Sequence, residues 1–318
     1  MAYMKTARVF LLVLALLLAL SGCKGNVLPQ PTPGITDGSD SFPLSLTDAR
    51  GRQVNIDSQP HRLVSLVPGF TETVFALGLG DRLTGVTTYC DYPAAAQEKP
   101  KIGGFSNPSL EKIVEARPDL VLATDMHGQL VEQLEAMNFK VLVYNPHDID
   151  SLLKTIAAIG TACGEAEKAR ALNASLTQRI DAVKVKLADL PSEKRPLVFY
   201  EVWHEPLMTI GPNTLIKEII SLSGGRCLTA SGTGEYPSIS EEWIIEQNPD
   251  IMVHSYGAGM DNTPTPEVIL NRKGWQGVNF VRNQRVIGVD SNLITRPGPR
   301  LVDAIEQLAR GFYPERFK

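Results

Sequence analysis

The chain has 318 residues, a formal net charge of −4 at pH 7 and 43% hydrophobic residues. This length allows more than one compact α/β unit. The nearly balanced charge argues against a protein that binds nucleic acid, or a strongly acidic ligand, through the overall field of its surface.

The first 23 residues predict a lipoprotein signal peptide. Two basic residues, Lys5 and Arg8, precede an apolar run over residues 9–20 that is too short to span a bilayer comfortably. Small residues then lead into Cys23, as a lipoprotein signal peptidase requires. We therefore expect an extracytoplasmic protein, lipid-anchored through Cys23 to a bacterial cell membrane. The alternative is an ordinary cleaved signal with an incidental cysteine.

The rest of the chain divides into four predicted segments. Residues 24–42 are rich in Pro, Gly and Ser and have no hydrophobic periodicity, so they predict a flexible tether. Residues 43–163 predict a first α/β lobe, residues 164–190 a connecting backbone helix, and residues 191–318 a second α/β lobe.

Beyond the tether, buried-strand patterns alternate with amphipathic helix patterns. In the first lobe, strand patterns lie at 43–48, 53–56, 61–66, 83–88, 120–123 and 140–144, and helix patterns at 71–79, 110–116, 129–137 and 149–159. In the second lobe, strand patterns lie at 197–200, 251–254 and 285–289, and helix patterns at 214–222, 241–247, 266–270 and 299–310. The predicted fold class is α/β, with two Rossmann-like lobes built on mostly parallel sheets.

Residues 165–190 predict the connection between the lobes. They contain neither Gly nor Pro, and apolar residues recur at every third or fourth position. This pattern predicts one continuous helix about 39 Å long. We expect such a helix to act as a stiff spine that allows only a small hinge motion.

A short phrase occurs twice, once in each predicted lobe. Residues 109–122 and 240–253 share Ser, Glu, Ile, Glu, Pro and Asp at matching positions. Each copy predicts a Ser N-cap, an amphipathic helix, a Pro-Asp stop and a buried strand. Glu111 and Glu242 fall in the first turns of these helices, where the helix dipole favours a carboxylate. The repeat predicts two similarly built lobes with a cleft between them.

The cleft residues are predicted from the loops that follow strands. In an open parallel sheet, ligands bind beyond the carboxyl ends of the strands. Aromatic rings there offer flat apolar faces, and arginine adds hydrogen-bond donors. The predicted ligand-binding residues in these loops are Tyr92, Phe105, Trp203, His204, Tyr236 and Arg296.

These features together resemble the helical-backbone class of substrate-binding proteins of ABC importers. That class carries cobalamin, ferric siderophores and haem. Three strings are similar to its cobalamin-binding members: RLVSLVPGFTETVFALGLGDRLTGVTTYCDYP (62–93), LEKIVEARPDLV (110–121) and TRPGPR (295–300). The resemblance covers residues 43–318 and implies a corrinoid ligand, cobalamin or a related compound. It also implies that aromatics at positions such as Tyr92, Phe105 and Tyr236 contact the ligand, without any further cofactor.

The same resemblance implies the partners. In that family one glutamate on each lobe pairs with arginines of the two permease subunits, and by motif these are Glu111 and Glu242. Exposed carboxylates make charge-assisted, often bidentate pairs with arginine. The alternative is that both glutamates support only their own helix N-termini. The expected partners are a permease dimer with its ATPase subunits, and the chain itself is expected to be a monomer.

Two departures from the better-known cobalamin binders leave the ligand open. Thr124-Asp125 replace an aromatic residue, and Trp203-His204 have no secure counterpart. A ferric siderophore, held by Arg296 and, less plausibly, by Arg300, is one alternative. Haem is another, and it would need an axial ligand. The candidates for that ligand are Tyr92, His127 and His204.

The sequence offers little support for a metal site or a catalytic site. The five histidines show no paired spacing on one element, which disfavours zinc or manganese. The chain lacks the common nucleophile, phosphate-binding and metalloprotease motifs, and nothing pairs with Glu201 and Glu205, so a lipid-anchored enzyme is a remote alternative. Cys90, Cys163 and Cys227 are odd in number, so at least one has no intrachain partner.

Overall fold

A computed structural model describes residues 41–231, 234–257 and 263–318. The predicted signal peptide, its lipidation site Cys23 and nearly all of the predicted tether lie outside the described residues. Within the described ranges, no helix combines the length and the apolar character needed to cross a membrane.

The first lobe contains a two-stranded antiparallel hairpin and a four-stranded parallel sheet. Its strands are β1 (Leu44–Thr47), β2 (Gln53–Ile56), β3 (Leu63–Ser65), β4 (Leu83–Val86), β5 (Leu120–Ala123) and β6 (Val141–Val143). Its helices are α1 (Pro68–Ala76), α2 (Ala94–Gln97), α3 (Leu110–Glu115), α4 (Gly128–Ala136) and α5 (Ile149–Ala162). The sheet order is β4-β3-β5-β6. Its central strands are buried on both faces, as expected when helices cover a parallel sheet.

The connecting helix, α6 (Ala166–Lys186), is shorter than predicted. It has 21 residues and a length of about 31 Å, because it ends before Leu187 instead of running to residue 190. Leu187 leaves helical geometry with φ −112° and ψ 4°, and its side chain is buried. Helical geometry therefore ends at Leu187, four residues before Pro191, although the sequence to residue 190 contains no Gly or Pro.

The second lobe contains another four-stranded parallel sheet and a short hairpin. Its strands are β7 (Leu197–Glu201), β8 (Trp203–His204), β9 (Leu207–Met208), β10 (Arg226–Cys227), β11 (Ile251–Tyr256) and β12 (Val286–Asp290). Its helices are α7 (Leu215–Leu222), α8 (Glu241–Gln247), α9 (Pro266–Leu270), α10 (Asn279–Arg282), α11 (Ser291–Ile294) and α12 (Leu301–Phe312). The sheet order is β10-β7-β11-β12. Two lobes with parallel sheets confirm the predicted fold class.

Helix α6 packs against both lobes. Arg179 on α6 contacts Asp303 at 2.6 Å and Glu306 at 2.9 Å on α12. On the other side, the amide of Asn173 donates a 2.8 Å hydrogen bond to the carbonyl of Leu153 on α5. Buried apolar residues of both lobes and of α6 form one continuous cluster. The helix is therefore embedded between the lobes, while the predicted lobe boundaries stay a prediction.

The repeated phrase performs the same structural task in each lobe. The carboxylate of Asp119 accepts hydrogen bonds from the backbone N–H groups of His61 and Arg62, at 2.8 and 2.9 Å. In the second lobe, the carboxylate of Asp250 accepts one from the backbone N–H of Leu197 at 2.9 Å. Each aspartate ties the start of its own strand to the start of a neighbouring parallel strand. The repeat is therefore a structural unit of the fold.

Candidate functional site: a cleft between the lobes

A cavity of about 300 Å³ lies between the two lobes. Its walls come from segments that follow β3, β4 and β12, together with the loop before α3. The lining residues are Val67, Pro68, Gly69, Tyr89, Phe105 and Ser106 of the first lobe, and Ser291, Asn292, Thr295, Arg296 and Pro297 of the second. The cavity lies beyond the carboxyl ends of parallel strands, where ligands of open α/β sheets bind.

Two of the six predicted ligand-binding residues, Phe105 and Arg296, line this cavity. The Phe105 ring is half-buried and meets the ring of His127 edge-on, with 5.4 Å between their centroids. Tyr92 and Tyr236 are exposed but lie outside the lining. Whether either tyrosine contacts a larger ligand stays a prediction.

Trp203 and His204 lie in the β8–β9 hairpin, where the sequence predicted an open loop. The indole N–H of Trp203 donates a 2.8 Å hydrogen bond to the carbonyl of Glu205, and its ring lies 5.2 Å from that of His204. The hairpin thus holds both rings together outside the cavity lining. Their role in ligand binding also stays a prediction.

Four charged residues join the lobes beside the cavity. Arg300 donates hydrogen bonds of 2.9 and 2.6 Å to the carboxylate of Glu72. Arg296 donates bonds of 2.5 and 3.2 Å to Asp91, and it lies 3.6 Å from Glu72. The Arg300 guanidinium also covers the ring of Tyr92 at 3.8 Å. The formal charges of the two arginines and the two carboxylates sum to zero. Charged groups with little access to water need such partners of opposite sign.

The sequence analysis missed Glu72 as a site residue. Its side chain is 3% exposed, and it is the single charged residue of α1. The single charged residue of a helix without other charges was the available signal, since such a group needs a partner when it is buried. Tyr89, which is 52% exposed and lines the cavity, was likewise not among the predicted ligand-binding residues.

The backbones of the two lobes touch next to these ion pairs. A Cβ atom on Gly69 would lie 2.4 Å from the carbonyl oxygen of Pro297. A Cβ atom on Gly298 would lie 2.9 Å from the Cα atom of Gly69. Real side chains do not tolerate such distances, so both positions need glycine. The close approach brings α1 of the first lobe against the segment that leads into α12.

His127 is unsuitable as an axial ligand for haem, contrary to its place among the sequence candidates. Its Nε2 donates a 2.8 Å hydrogen bond to the carbonyl of Phe105, and its Nδ1 accepts one of 3.2 Å from the backbone N–H of Thr124. Burial lowers the pKa of this imidazole. Both ring nitrogens are therefore occupied, and His127 instead supports the loop that carries Phe105.

Glu111 and Glu242 occupy the matching, exposed positions that the repeat predicts. Ser109 and Ser240 cap α3 and α8, and each hydroxyl accepts a hydrogen bond from a backbone N–H of the first turn, at 3.3 and 3.2 Å. The backbone amide of Glu242 and the hydroxyl of Ser240 lower the pKa of the Glu242 carboxyl. Both carboxylates are accessible to solvent at equivalent positions of the two lobes.

The other residues considered as functional candidates are held in contacts within the fold. Buried Glu201 accepts hydrogen bonds of 2.5 and 3.0 Å from Arg272, so it forms an ion pair and not a carboxylate pair with Glu205. Cys90 and Cys163 are buried free thiols. In the part of the chain that the structure describes, no group of three or more His, Cys, Asp or Glu side chains could hold a metal ion.

Comparison with known proteins defines the class. Residues 63–293 match the family described as periplasmic binding protein. The chain therefore belongs to the periplasmic binding protein family. This confirms the resemblance that the three sequence strings indicated.

Several relatives align over nearly the whole chain. The ABC transporter substrate-binding lipoprotein YvrC of Bacillus subtilis, called uncharacterized, is 34% identical over 313 residues, which cover 96% of this chain and 97% of the relative. A cobalamin-binding protein of Halobacterium salinarum is 30% identical over 311 residues, covering 95% of this chain and 84% of the relative.

Solved structures share the fold. The vitamin B12-binding protein BtuF of Vibrio cholerae has a TM-score of 0.69 and 25% identity, covering 80% of this chain and 97% of that structure. The haem-binding protein BhuT, solved with two haems, has a TM-score of 0.71 and 25% identity, covering 80% of this chain and all of that structure. The fold alone therefore does not separate a corrinoid from haem.

Proposed function

We propose that this protein captures cobalamin or a closely related corrinoid in the cleft between its lobes. It is a substrate-binding protein of an ABC transporter, a class that both the family and the Bacillus relative support. The observation that carries the choice of ligand is the charge balance of the cleft. Arg296 lines the cavity, but Asp91 and Glu72 neutralise it and its neighbour Arg300.

A corrinoid suits the surface that remains. A corrin ring is broad and flat, and its side arms end in uncharged amides. Tyr89 and Phe105 offer aromatic surface, while Ser106 and Asn292 offer uncharged hydrogen-bonding groups. Apolar walls with a few polar groups are typical of small-molecule sites. The relatives described as cobalamin-binding support the same ligand.

The two rival ligands fit less well. Ferric catecholates and haem carry negative charges that call for unpaired cations, whereas both arginines beside the cavity have carboxylate partners. Haem also needs an axial ligand, and the ring nitrogens of His127 are occupied. The remaining sequence candidates have protein partners: the Arg300 guanidinium covers the Tyr92 ring at 3.8 Å, and the His204 ring lies 5.2 Å from that of Trp203. These contacts favour the corrinoid over either alternative.

The proposal includes the partners and location. As an extracytoplasmic binding protein, the chain would be tethered by a lipid on Cys23 and would act as a monomer. It would deliver its ligand to a permease dimer with ATPase subunits, with Glu111 and Glu242 pairing with one arginine cluster on each permease subunit. The exposure of both carboxylates at equivalent helix starts supports this docking role.

Ligand titration tests the proposal. The chain without its signal peptide would be titrated with cyanocobalamin, haemin and an iron(III) tris-catecholate, while tryptophan quenching and visible spectra are followed. We expect sub-micromolar binding of cyanocobalamin and much weaker binding of the two anionic complexes. Failure to bind any corrinoid at micromolar concentration would overturn the proposed ligand.

A further inference from the structure

We infer that Glu72 and Asp91 determine the ligand specificity of the cleft, because they neutralise its two arginines and so exclude anionic metal complexes. This inference rests on the proposed function of the cleft as a ligand site. The two carboxylates contact the arginines of the cleft. If they set the specificity, removing them should change which ligand the protein prefers.

Glu72 is the shared partner of both arginines. Its carboxylate accepts the 2.9 and 2.6 Å hydrogen bonds from Arg300 and also lies 3.6 Å from the guanidinium of Arg296. Its side chain is 3% exposed, against 17% for Arg300 and 10% for Arg296. Water therefore screens these charges less than it screens an exposed pair, so the carboxylate attracts both cations more strongly than it would at the surface.

Asp91 supplies the second negative charge from the first lobe. Both of its oxygens accept hydrogen bonds from Arg296, at 2.5 and 3.2 Å. Its side chain is 35% exposed, which makes it the most accessible of the four charged groups. Replacing Asp91 is therefore the gentler change, because it leaves the buried Glu72–Arg300 pair intact.

The cancellation of charge determines which ligands have a favourable electrostatic interaction with the cleft. An anionic ligand beside the cavity is attracted by Arg296 and repelled by the carboxylates bonded to it, so the net interaction is small. With one carboxylate neutralised, the cluster carries one net positive charge. At the reduced dielectric of a partly buried site, a unit charge several ångströms away changes affinity about tenfold or more. A neutral corrinoid would experience little of this change.

The alternative role for both carboxylates is purely structural, as bridges that hold the lobes together. If the role is structural, neutralising a carboxylate should weaken the binding of all ligands alike, because a loosened cleft has no reason to bind any ligand more tightly. The specificity role predicts opposite behaviour for anionic and neutral ligands. The ratio of the two affinities therefore separates these roles, even if a variant is less stable.

The experiment compares Asp91→Asn, Glu72→Gln and the double variant with the unchanged protein. Asp189→Asn is the matched control, because Asp189 accepts hydrogen bonds of 2.5 and 3.1 Å from Arg316 in nearly the same geometry, outside the cleft. Each protein would be titrated with cyanocobalamin and with an iron(III) tris-catecholate at two salt concentrations. Circular dichroism and thermal melting would establish that each variant is folded.

We expect Asp91→Asn to bind the tris-catecholate at least about tenfold tighter, with a larger gain in the double variant and a smaller gain at high salt. Cyanocobalamin affinity should change less than about threefold, and Asp189→Asn should change neither affinity. Unaltered tris-catecholate binding in folded Asp91→Asn, with cyanocobalamin binding intact, would overturn the inference. Failure of the proposed function is a different result, in which the unchanged protein binds no cyanocobalamin.

Discussion

Arg300 and Glu72 form a bidentate ion pair between the two lobes, although they lie 228 positions apart in the chain. Both side chains are largely buried. Removing one member of such a pair leaves an unpaired charge and costs about 3–5 kcal/mol in typical proteins. Together with the contact between Gly69 and Pro297, the pair holds the lobes at a fixed separation beside the cavity. The small hinge motion expected from the connecting helix stays a prediction.

The glycine contact gives a first prediction. Gly69→Ala places a methyl group 2.4 Å from the Pro297 carbonyl oxygen, so the lobes must shift apart. We expect a loss of about 1–3 kcal/mol in the free energy of unfolding, measured by urea denaturation. Gly277→Ala is the control, because no heavy atom lies within 4 Å of its added Cβ. Equal effects of the two substitutions would contradict the proposed contact.

The repeated glutamates give a second prediction. If the proposed docking is right, charge reversal in the double variant Glu111→Lys and Glu242→Lys should abolish uptake, because both proposed contacts with permease arginines would become repulsive. Cyanocobalamin binding by the purified protein should be unchanged. The measurements are ligand uptake by cells and titration of the isolated protein.

The chain offers a matched control for that experiment. Glu115 and Glu246 are the second glutamates of each repeat, and both are exposed on the same helices. Reversing their charges should leave uptake largely intact. Loss of ligand binding in the Glu111 and Glu242 variant would show that these residues were assigned to the wrong surface.

Tyr89 gives a third prediction. It lines the cavity and is 52% exposed, so Tyr89→Ala should leave the stability of the protein within about 0.5 kcal/mol. The lost aromatic contact should weaken corrinoid binding by about 1–2 kcal/mol, or roughly tenfold, in a calorimetric titration. Met137→Ala removes an exposed apolar side chain outside the cavity lining and should not affect binding. Equal affinities for all three proteins would place the ligand elsewhere.

His254 gives a prediction about pH. It is buried in β11, and within the described residues neither ring nitrogen has a hydrogen-bond partner. Burial lowers its pKa below the ordinary value of 6.5, so the unfolded chain binds a proton more readily than the folded chain. The stabilisation that comes from this lowered pKa is therefore fully present above pH 6.5, and it is lost as the pH falls through the pKa of the folded state. His127 acts in the same direction because burial lowers its pKa too.

His254→Leu tests this contribution. The substitution removes an unsatisfied polar group and should raise the free energy of unfolding at pH 7 by about 1 kcal/mol. It should also reduce the loss of stability between pH 7 and pH 5, leaving the part due to His127. His61→Leu is the control, because His61 is exposed. Parallel stability curves for the His254 variant and the unchanged protein would rule out the proposed titration.

Local sequence signals predicted most of the secondary structure. Helix α8 and strand β5 have the predicted bounds, because a Ser N-cap, a Pro-Asp stop and a continuous buried run act within a few residues. The β8–β9 hairpin, with two residues in each strand, was missed because so short a pair has little periodicity. The end of α6 at Lys186 was missed because the sequence has no Gly or Pro before Pro191 to mark it.

The amino-acid sequence by itself determined the two α/β lobes, the connecting helix, the matching positions of Glu111 and Glu242 and the class of protein. The lobes, the helix and the two glutamate positions follow from periodicity, capping and a repeated phrase, which are local or can be compared directly along the chain. The class follows from the resemblance of three strings to known members of the family. Only the tertiary structure decided that Phe105 and Arg296 share a cavity and that Glu72 neutralises the arginines beside it. Contacts between residues about two hundred positions apart depend on how the lobes pack, and no local preference encodes that packing.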